Sequence, residues 1–326
     1  MRKITFFKTW LVAIAIVAGS ASMSAQLLTE DFNYTVGALL NANGWSAHSG
    51  AGTNSEAVTT SSISYAGYIG SGVGNEVTLA TSGEDINKAF TSQNAGSLYA
   101  SFLVKVTAAT TTGDYFAHFA QTSGTTVTVF GARLWAKKDA SNNLAFGISK
   151  TSTAGNQSYT GFNYVLGTTY LVVIKYNFIS GTGNDTEDIF INPAIGSPEP
   201  TPTVSTTVAA DNAGTDLTAI VSFCLRQGSA TNAPNVIVDG IRVSTLWTDL
   251  VGPTTDINPA SSTSYIYSSN GKVTFTSGAG RTLEIYNSVG QRIISTKTVE
   301  GLNTIPVSTR GVVLVKVDKR IARVIL

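Results

Sequence analysis

"YLVVIKYNF", residues 170–178, decides the fold class of this chain. Tyr170, Val172, Ile174 and Tyr176 fall on one side of an extended strand, and Leu171, Val173, Lys175 and Asn177 fall on the other. Successive strand side chains point to opposite faces, so this run has one apolar face and one mixed face. That is the pattern of one layer in a two-sheet sandwich. Runs of the same kind recur as "LYASFLVKV" (98–106), "VTVFGARLW" (127–135), "AIVSFCLR" (219–226) and "NVIVDGIRV" (235–243). Gly, Ser, Asn and Thr separate them, and helical periodicity is almost absent beyond residue 25. The chain is therefore expected to be all-β.

Proline and polar stretches divide it. "INPAIGSPEPTPT" (191–203) holds four of the eight prolines and predicts an irregular loop or a sheet edge. "LVGPTTDINPASSTS" (250–264) is a second break, beyond which the strands shorten. "SYIYSS" and "KVTFTS" flank Asn270–Gly271, the preferred pair for a two-residue hairpin turn. "TLEIYN", "QRIISTKTV", "NTIPV", "GVVLVKV" and "RIARVIL" follow. At the other end, "MRKITFFKTWLVAIAIVAGSASMSAQ" joins a basic start (Arg2, Lys3, Lys8) to an apolar run and small residues up to Ala25. The apolar run is short for a bilayer span and reads as a secretory signal peptide. The expected organisation is a signal peptide at 1–25, a large β domain at 26–250, a linker at 251–262 and a small β-sandwich at 263–326. The mature chain is expected to be soluble and exported, to the outer surface or beyond it.

Charge narrows the function classes. Twenty-one basic against 20 acidic residues give a net charge of +1, without the clustered basic surplus that nucleic acid requires. Charged residues make up 13% of the chain, against about 25% in ordinary globular domains. Cys224 is the only cysteine, so an intramolecular disulfide and a cysteine-rich metal site are both excluded. In "AIVSFCLRQ" alternation places it on a buried strand face as a small core residue.

The chain carries no legible catalytic set. A glycosidase needs two carboxylates facing each other, but Glu30–Asp31, Glu84–Asp85 and Glu187–Asp188 are adjacent pairs that point to opposite faces. They read as strand ends and solvated loops. His48 and His118 are the only histidines, too few for a histidine-rich zinc motif. Alternation in "DYFAHFAQ" sets His118 opposite Tyr115, Ala117 and Phe119. The metal expectation is a structural calcium held by Asp185 and Asp188 in "SGTGNDTED", or by Asp31 and Asp239. For sugar binding the candidates are Trp135, whose face could stack on a pyranose ring, and Arg133 on the same side of the strand. Trp45 and Trp247 are expected in the core.

Two resemblances extend this reading. "LEIYNSVGQRI" (283–293), "GLNTIPVS" (301–308) and "GVVLVKVDKRIARVIL" (311–326) resemble the C-terminal sorting domain of the Bacteroidetes type IX secretion system, with Gly290, Gly311, Lys316 and Arg323 on its motif positions. Val313 stands where that family carries an aromatic residue, and only Asp318–Lys319 separate the last two strands. "EDFNYTVGALLNANGW" (30–45) and "VIVDGIRVSTLW" (236–247) resemble the first and last segments of concanavalin A-like jelly rolls from the same bacteria. The implied fold is an N-terminal jelly-roll β-sandwich, closed by pairing of its first and last strands, followed by a small Ig-like β-sandwich. The implied function is a cell-surface recognition protein, non-catalytic and glycan-binding or adhesive, whose partner is the type IX machinery. The alternatives are a glycosidase or polysaccharide lyase on the same scaffold, and a structural surface or matrix component.

Overall fold

A computed structural model describes residues 26–251, 266–269, 271–317 and 320–326. Strands are numbered in chain order. The first sheet runs β14 (Val204–Ser205), β13 (Thr186–Ile191), β12 (Thr169–Phe178), β6 (Gly96–Ala108), β16 (Asn235–Ser244), β4 (Glu76–Leu79) and β3 (Val58–Thr59), with β1 (Leu28–Glu30) also on β16. The second runs β10 (Ser158–Tyr159), β9 (Asn143–Ser149), β8 (Phe130–Lys138), β7 (Asp114–Ala120), β15 (Ile220–Leu225), β5 (Asp85–Gln93) and β2 (Ser46–Ser49), with β11 (Tyr164–Val165) also on β9. Both sheets are eight-stranded. The first and last long segments pair as expected, Leu28 opposite Val243 and Glu30 opposite Ile241. This is an all-β jelly-roll sandwich.

The apolar face of 170–178 lies between the sheets: Tyr170, Val172, Ile174 and Tyr176 pack with Phe102, Phe116, Phe119, Phe146 and Phe223. Its mixed face is covered too. Leu171 and Val173 join Tyr68, Tyr99, Phe190, Trp247 and Leu250 in a second apolar layer, and Lys175 pairs with Glu199 at 2.7 Å. Loop residues and the short helix Thr248–Val251 thus seal the outer side of the first sheet. On the outer side of the second sheet, among the described residues, the apolar cover is a small cluster of Ala120, Val127, Cys224 and Phe130.

The adjacent acidic pairs are not solvated. Glu30, Glu84 and Glu187 are buried; Glu30 and Glu84 collect donors that would otherwise be stranded, while Glu187 accepts only the Ala132 N–H and leaves its Oε2 without a partner. Glu30 accepts from the Phe32 backbone N–H (2.8 Å), the Tyr34 hydroxyl (2.8 Å) and the Trp45 indole N–H (3.0 Å), and it pairs with Lys88. Glu84 accepts from Gly52 N–H at 2.8 Å and from Ser55 at 3.0 Å. Trp45 and Trp247 are packed in, as expected. Gly74 shows why the entry to the domain tolerates no side chain. Its φ is +68°, and a Cβ there would sit 1.9 Å from the Asp31 carbonyl oxygen.

The C-terminal strands form two further sheets among the described residues. One runs β17 (Tyr267–Ser269), β18 (Lys272–Ser277), β21 (Gly301–Pro306), and the other β20 (Arg292–Lys297), β19 (Thr282–Asn287), β22 (Val312–Val317), β23 (Arg320–Ile325). Val273 and Phe275 from the first pack against Leu283, Ile285, Val313, Val315 and Val324 from the second, making a small Ig-like sandwich. Ser269 pairs with Lys272, with Gly271 in the connection between β17 and β18. Gly290 lies in the turn between β19 and β20, Gly311 precedes β22, Arg323 faces Leu314, and Lys316 pairs with Glu284 at 3.1 Å. The expected signal peptide (residues 1–25), residues 252–265 and Asn270, Asp318 and Lys319 lie outside the described residues.

Candidate functional site

Alternation along β8 turns Ala132, Leu134 and Ala136 into the core and leaves Arg133, Trp135 and Lys137 on the outer face of the second sheet. The neighbouring β7 does not alternate cleanly. Its pairing with β8 shifts register between Tyr115 and Ala117 and again between Ala117 and Phe119, so Phe116, Ala117 and Phe119 all enter the core. Tyr115 and His118 therefore share the outer face, with ring centroids 5.6 Å apart. An unbroken period of two would put them on opposite sides; the two register shifts bring them to the same side.

One end of this face is aromatic and cationic. Tyr159 lies flat on the sheet, which the absent side chain of Gly147 permits: a Cβ there would be 2.6 Å from the tyrosine ring. The Lys137 ammonium sits 3.7 Å from the Tyr159 centroid and 5.6 Å from that of Phe162, a cation–π arrangement. Burial pulls the Lys137 pKa down, and no carboxylate of the described residues lies within ion-pair distance of it. Phe162 is 39% exposed. Further along, Arg226 pairs with Asp114 at 2.9 Å and lies 4.0 Å from the Tyr115 centroid.

Trp135 and Arg133 reach this face but are packed into it. Trp135 is 7% exposed, donates its indole N–H to Ser149 Oγ at 2.7 Å and tilts against Tyr115 at 5.2 Å. Arg133 is 8% exposed, bonds the Lys150 carbonyl and lies between the Tyr115 and Phe130 rings. The more accessible aromatic groups are Tyr159 and Phe162, which lie in a short loop-bound segment that strand patterning does not reveal.

The calcium set does not assemble. Asp185 is taken by the Tyr176 hydroxyl (2.6 Å) and Ile179 N–H (2.6 Å), and Asp188 by Asn177 (2.9 Å) and Ser205 (2.5 Å). Asp31 is paired with Arg242 at 2.5 Å, and Asp239 accepts from Ser62 (2.7 Å) and Gly240 N–H (2.6 Å). Local donors satisfy each carboxylate, so no shared oxygen cage is left for a hard cation.

A different cluster does form. His48, His118 and Cys224 place one ligand-capable atom each within 4.8 Å of one another. Cys224 is fully buried, as expected, but outside the main core. It lies on the outer side with Ala120, Val127 and Phe130, beneath the loop that joins β7 to β8. His118 is fully buried; its Nδ1–H donates to the Phe119 carbonyl at 3.1 Å, and its Nε2 is buried with no partner. Such an orphan costs about 1–3 kcal/mol. Burial, with the Arg133 charge, holds the His118 pKa well below the ordinary value, and burial lowers that of His48 to about 4. Burial pushes the Cys224 thiol up.

No family model matches the chain, and no curated protein does. Several solved structures overlay on it. A carbohydrate esterase of the Shiga toxin-encoding bacteriophage phi24B is 18% identical, covers 68% of this chain and 98% of its own, and has a TM-score of 0.41. The heptameric SAP-like pentraxin of Limulus polyphemus is 8% identical over 76% of this chain and 94% of its own, with a TM-score of 0.35. Domain 4 of the Geobacillus stearothermophilus arabinanase AbnA, solved with arabinotriose, is 15% identical over 66% and 93%, with a TM-score of 0.32.

Proposed function

We propose that this chain is an exported recognition protein whose jelly roll binds glycans through the outer face of its second sheet, at the corner formed by Lys137, Tyr159 and Phe162. One observation carries the reading: an ammonium without a carboxylate partner among the described residues lies against two aromatic rings, one of them exposed. Aromatic faces stack on sugar rings, and a free cation beside them pairs with a carboxylate carried on such a ring. The favoured ligand is therefore a polysaccharide containing uronic acids. Asp114 and Asp85 are the carboxylates nearest Arg226; Asp114 is paired with it at 2.9 Å and Asp85 accepts Gln227 N–H at 2.8 Å. With Asp114 held in an ion pair to Arg226, this face favours binding over hydrolysis, which needs one free acid and one free base.

Export and attachment complete the proposal. The signal peptide would carry the chain out of the cytoplasm, and the C-terminal sandwich, through its resemblance to type IX sorting domains, would direct it to the outer surface. A screen of the full chain against neutral and uronate-containing polysaccharides tests the first part. Wild type should retain the acidic ones, Lys137→Gln should weaken them at least tenfold, and Phe162→Ala should abolish binding. Unchanged binding in both variants, or turnover of the bound polysaccharide, would overturn it. Residues 262–326 fused to a reporter in a type IX-competent host test the second part, with surface display expected and periplasmic retention refuting it.

A further inference from the structure

The His48, His118 and Cys224 cluster lies away from the Lys137 corner and has no part in glycan binding as proposed. Its geometry follows from strand register. Cys224 on β15 faces His118 on β7, so the two side chains meet as a cross-strand pair. On the other side Cys224 faces Asn87 of β5, which in turn faces Ser46 of β2. A register shift between Ala47 and Ser49 lets His48 reach over Asn87 towards the same point. The Asn87 amide lies 3.2 Å from His48 Nδ1 and bonds both N–H and C=O of Gly124. It thereby ties the His48 strand to the loop at 121–129 that roofs the cluster.

Two features separate this from ordinary packing. The His118 Nδ1–H is committed to the Phe119 carbonyl, which leaves the lone pair on Nε2, and that atom is buried and unpartnered. A backbone carbonyl on the far nitrogen is the usual outer contact of a metal-bound imidazole, because it fixes ring and tautomer. The second feature is the donor set itself, two imidazole nitrogens and one sulfur converging within 4.8 Å.

We propose that His48, His118 and Cys224 form a binding site for one thiophilic transition-metal ion of the zinc–copper class. Nitrogen and thiolate donors select such ions over calcium or magnesium. In a tetrahedral zinc site these donors stand about 3.3–3.6 Å apart, from Zn–N near 2.0–2.1 Å and Zn–S near 2.3 Å. Closing from 4.8 Å asks for a movement of order 1 Å, which the half-buried His48 ring can supply. Binding converts the Cys224 thiol to a thiolate and releases its proton to solvent. Three protein donors leave a fourth position for water or an external ligand.

The test uses the full chain, stripped with chelator and titrated with Co2+ as the spectroscopic stand-in for Zn2+. One equivalent should raise a near-ultraviolet thiolate-to-metal charge-transfer band, which one equivalent of Zn2+ then removes. Cys224→Ser should abolish the band. His48→Ala alters a half-exposed ring and leaves the fold intact by circular dichroism. It should weaken Zn2+ binding, read by calorimetry, at least about tenfold. Absence of the band in wild type overturns the proposal. So does Zn2+ affinity that is unchanged in His48→Ala.

Discussion

Replacing Glu30 should unfold the jelly roll far more readily than replacing an ordinary surface acid. Glu30 is 3% exposed and serves four donors. In Glu30→Ala, Lys88 and Tyr34 retain secondary partners, since both approach the Asn43 carbonyl (3.4 and 3.3 Å). Trp45 Nε1–H and Phe32 N–H have no such fallback. Breaking one side of a buried ion pair costs about 3–5 kcal/mol, and each stranded neutral donor about 1–3 kcal/mol. With the partial rescue, a loss of about 4–6 kcal/mol is expected, or about 10–20 °C in the thermal midpoint for a domain of this size. Glu30→Gln keeps an acceptor and should lose about half as much. Urea unfolding followed by tryptophan fluorescence reads the right domain, because Trp45, Trp135 and Trp247 all lie within 26–251. A loss below about 1 kcal/mol with an unchanged urea slope would refute the argument that Glu30 anchors this end of the sandwich.

The remaining expectations are briefer. Gly74→Ala drives a Cβ onto the Asp31 carbonyl at 1.9 Å and should lower the thermal midpoint sharply, whereas Gly72→Ala, at a similar φ of +67° with open space, should cost only about 1–2 kcal/mol. Burial pushes Glu187 up to about 8 from 4.5. Its folded form therefore binds the proton more tightly than its unfolded form, and stability present at pH 4.5 is lost as pH rises towards 8. Glu187→Gln should flatten that part of a stability-versus-pH curve, and an unaltered slope would count against a neutral buried Glu187. Trp135→Phe removes the indole donor to Ser149 and should destabilise by about 1 kcal/mol while leaving glycan binding intact, measured by the same polysaccharide screen.

Much of the fold was legible because its strands obey simple alternation. The run at 170–178 declared a sandwich layer from its apolar face alone, and pairing of the 28–30 and 241–243 segments followed the expected closure. What the sequence hid was the second apolar layer. Leu171 and Val173 look like the minor hydrophobics of a solvated face until Trp247, Leu250 and Tyr68, distant in sequence, cover them. The adjacent acids were misjudged for a related reason. Glu30 and Glu187 look solvated by residue type, but tertiary packing buries both: Glu30 among four donors, and Glu187 with one, the Ala132 N–H at 2.6 Å, so that burial raises its pKa.

The metal-capable cluster was hidden by irregularity rather than by distance. A strict period of two sets His118 opposite Tyr115, and no pattern links residue 48 to residues 118 and 224. The structure brings the three together where the ladder departs from regular pairing. The shifts fall at Ala47/Ser49 in β2, at Ile220/Ser222 in β15 and at Tyr115/Ala117 and Ala117/Phe119 in β7. Ala132, on the strand beside β7, adopts a φ of +49°, which a residue with a Cβ adopts only under constraint. Bulges bend a strand and re-aim its side chains, and they concentrate beside functional sites. Here they convert a core-facing alternation into a cross-strand Cys–His pair with a second imidazole above it. A bulge leaves almost no trace in residue type, so a sequence reading built on alternation will miss donor sets assembled in this way. Similar shifts occur in β16 against β6 and in β19 against β20, so it is the convergence of the three donors, not the irregularity itself, that marks this place.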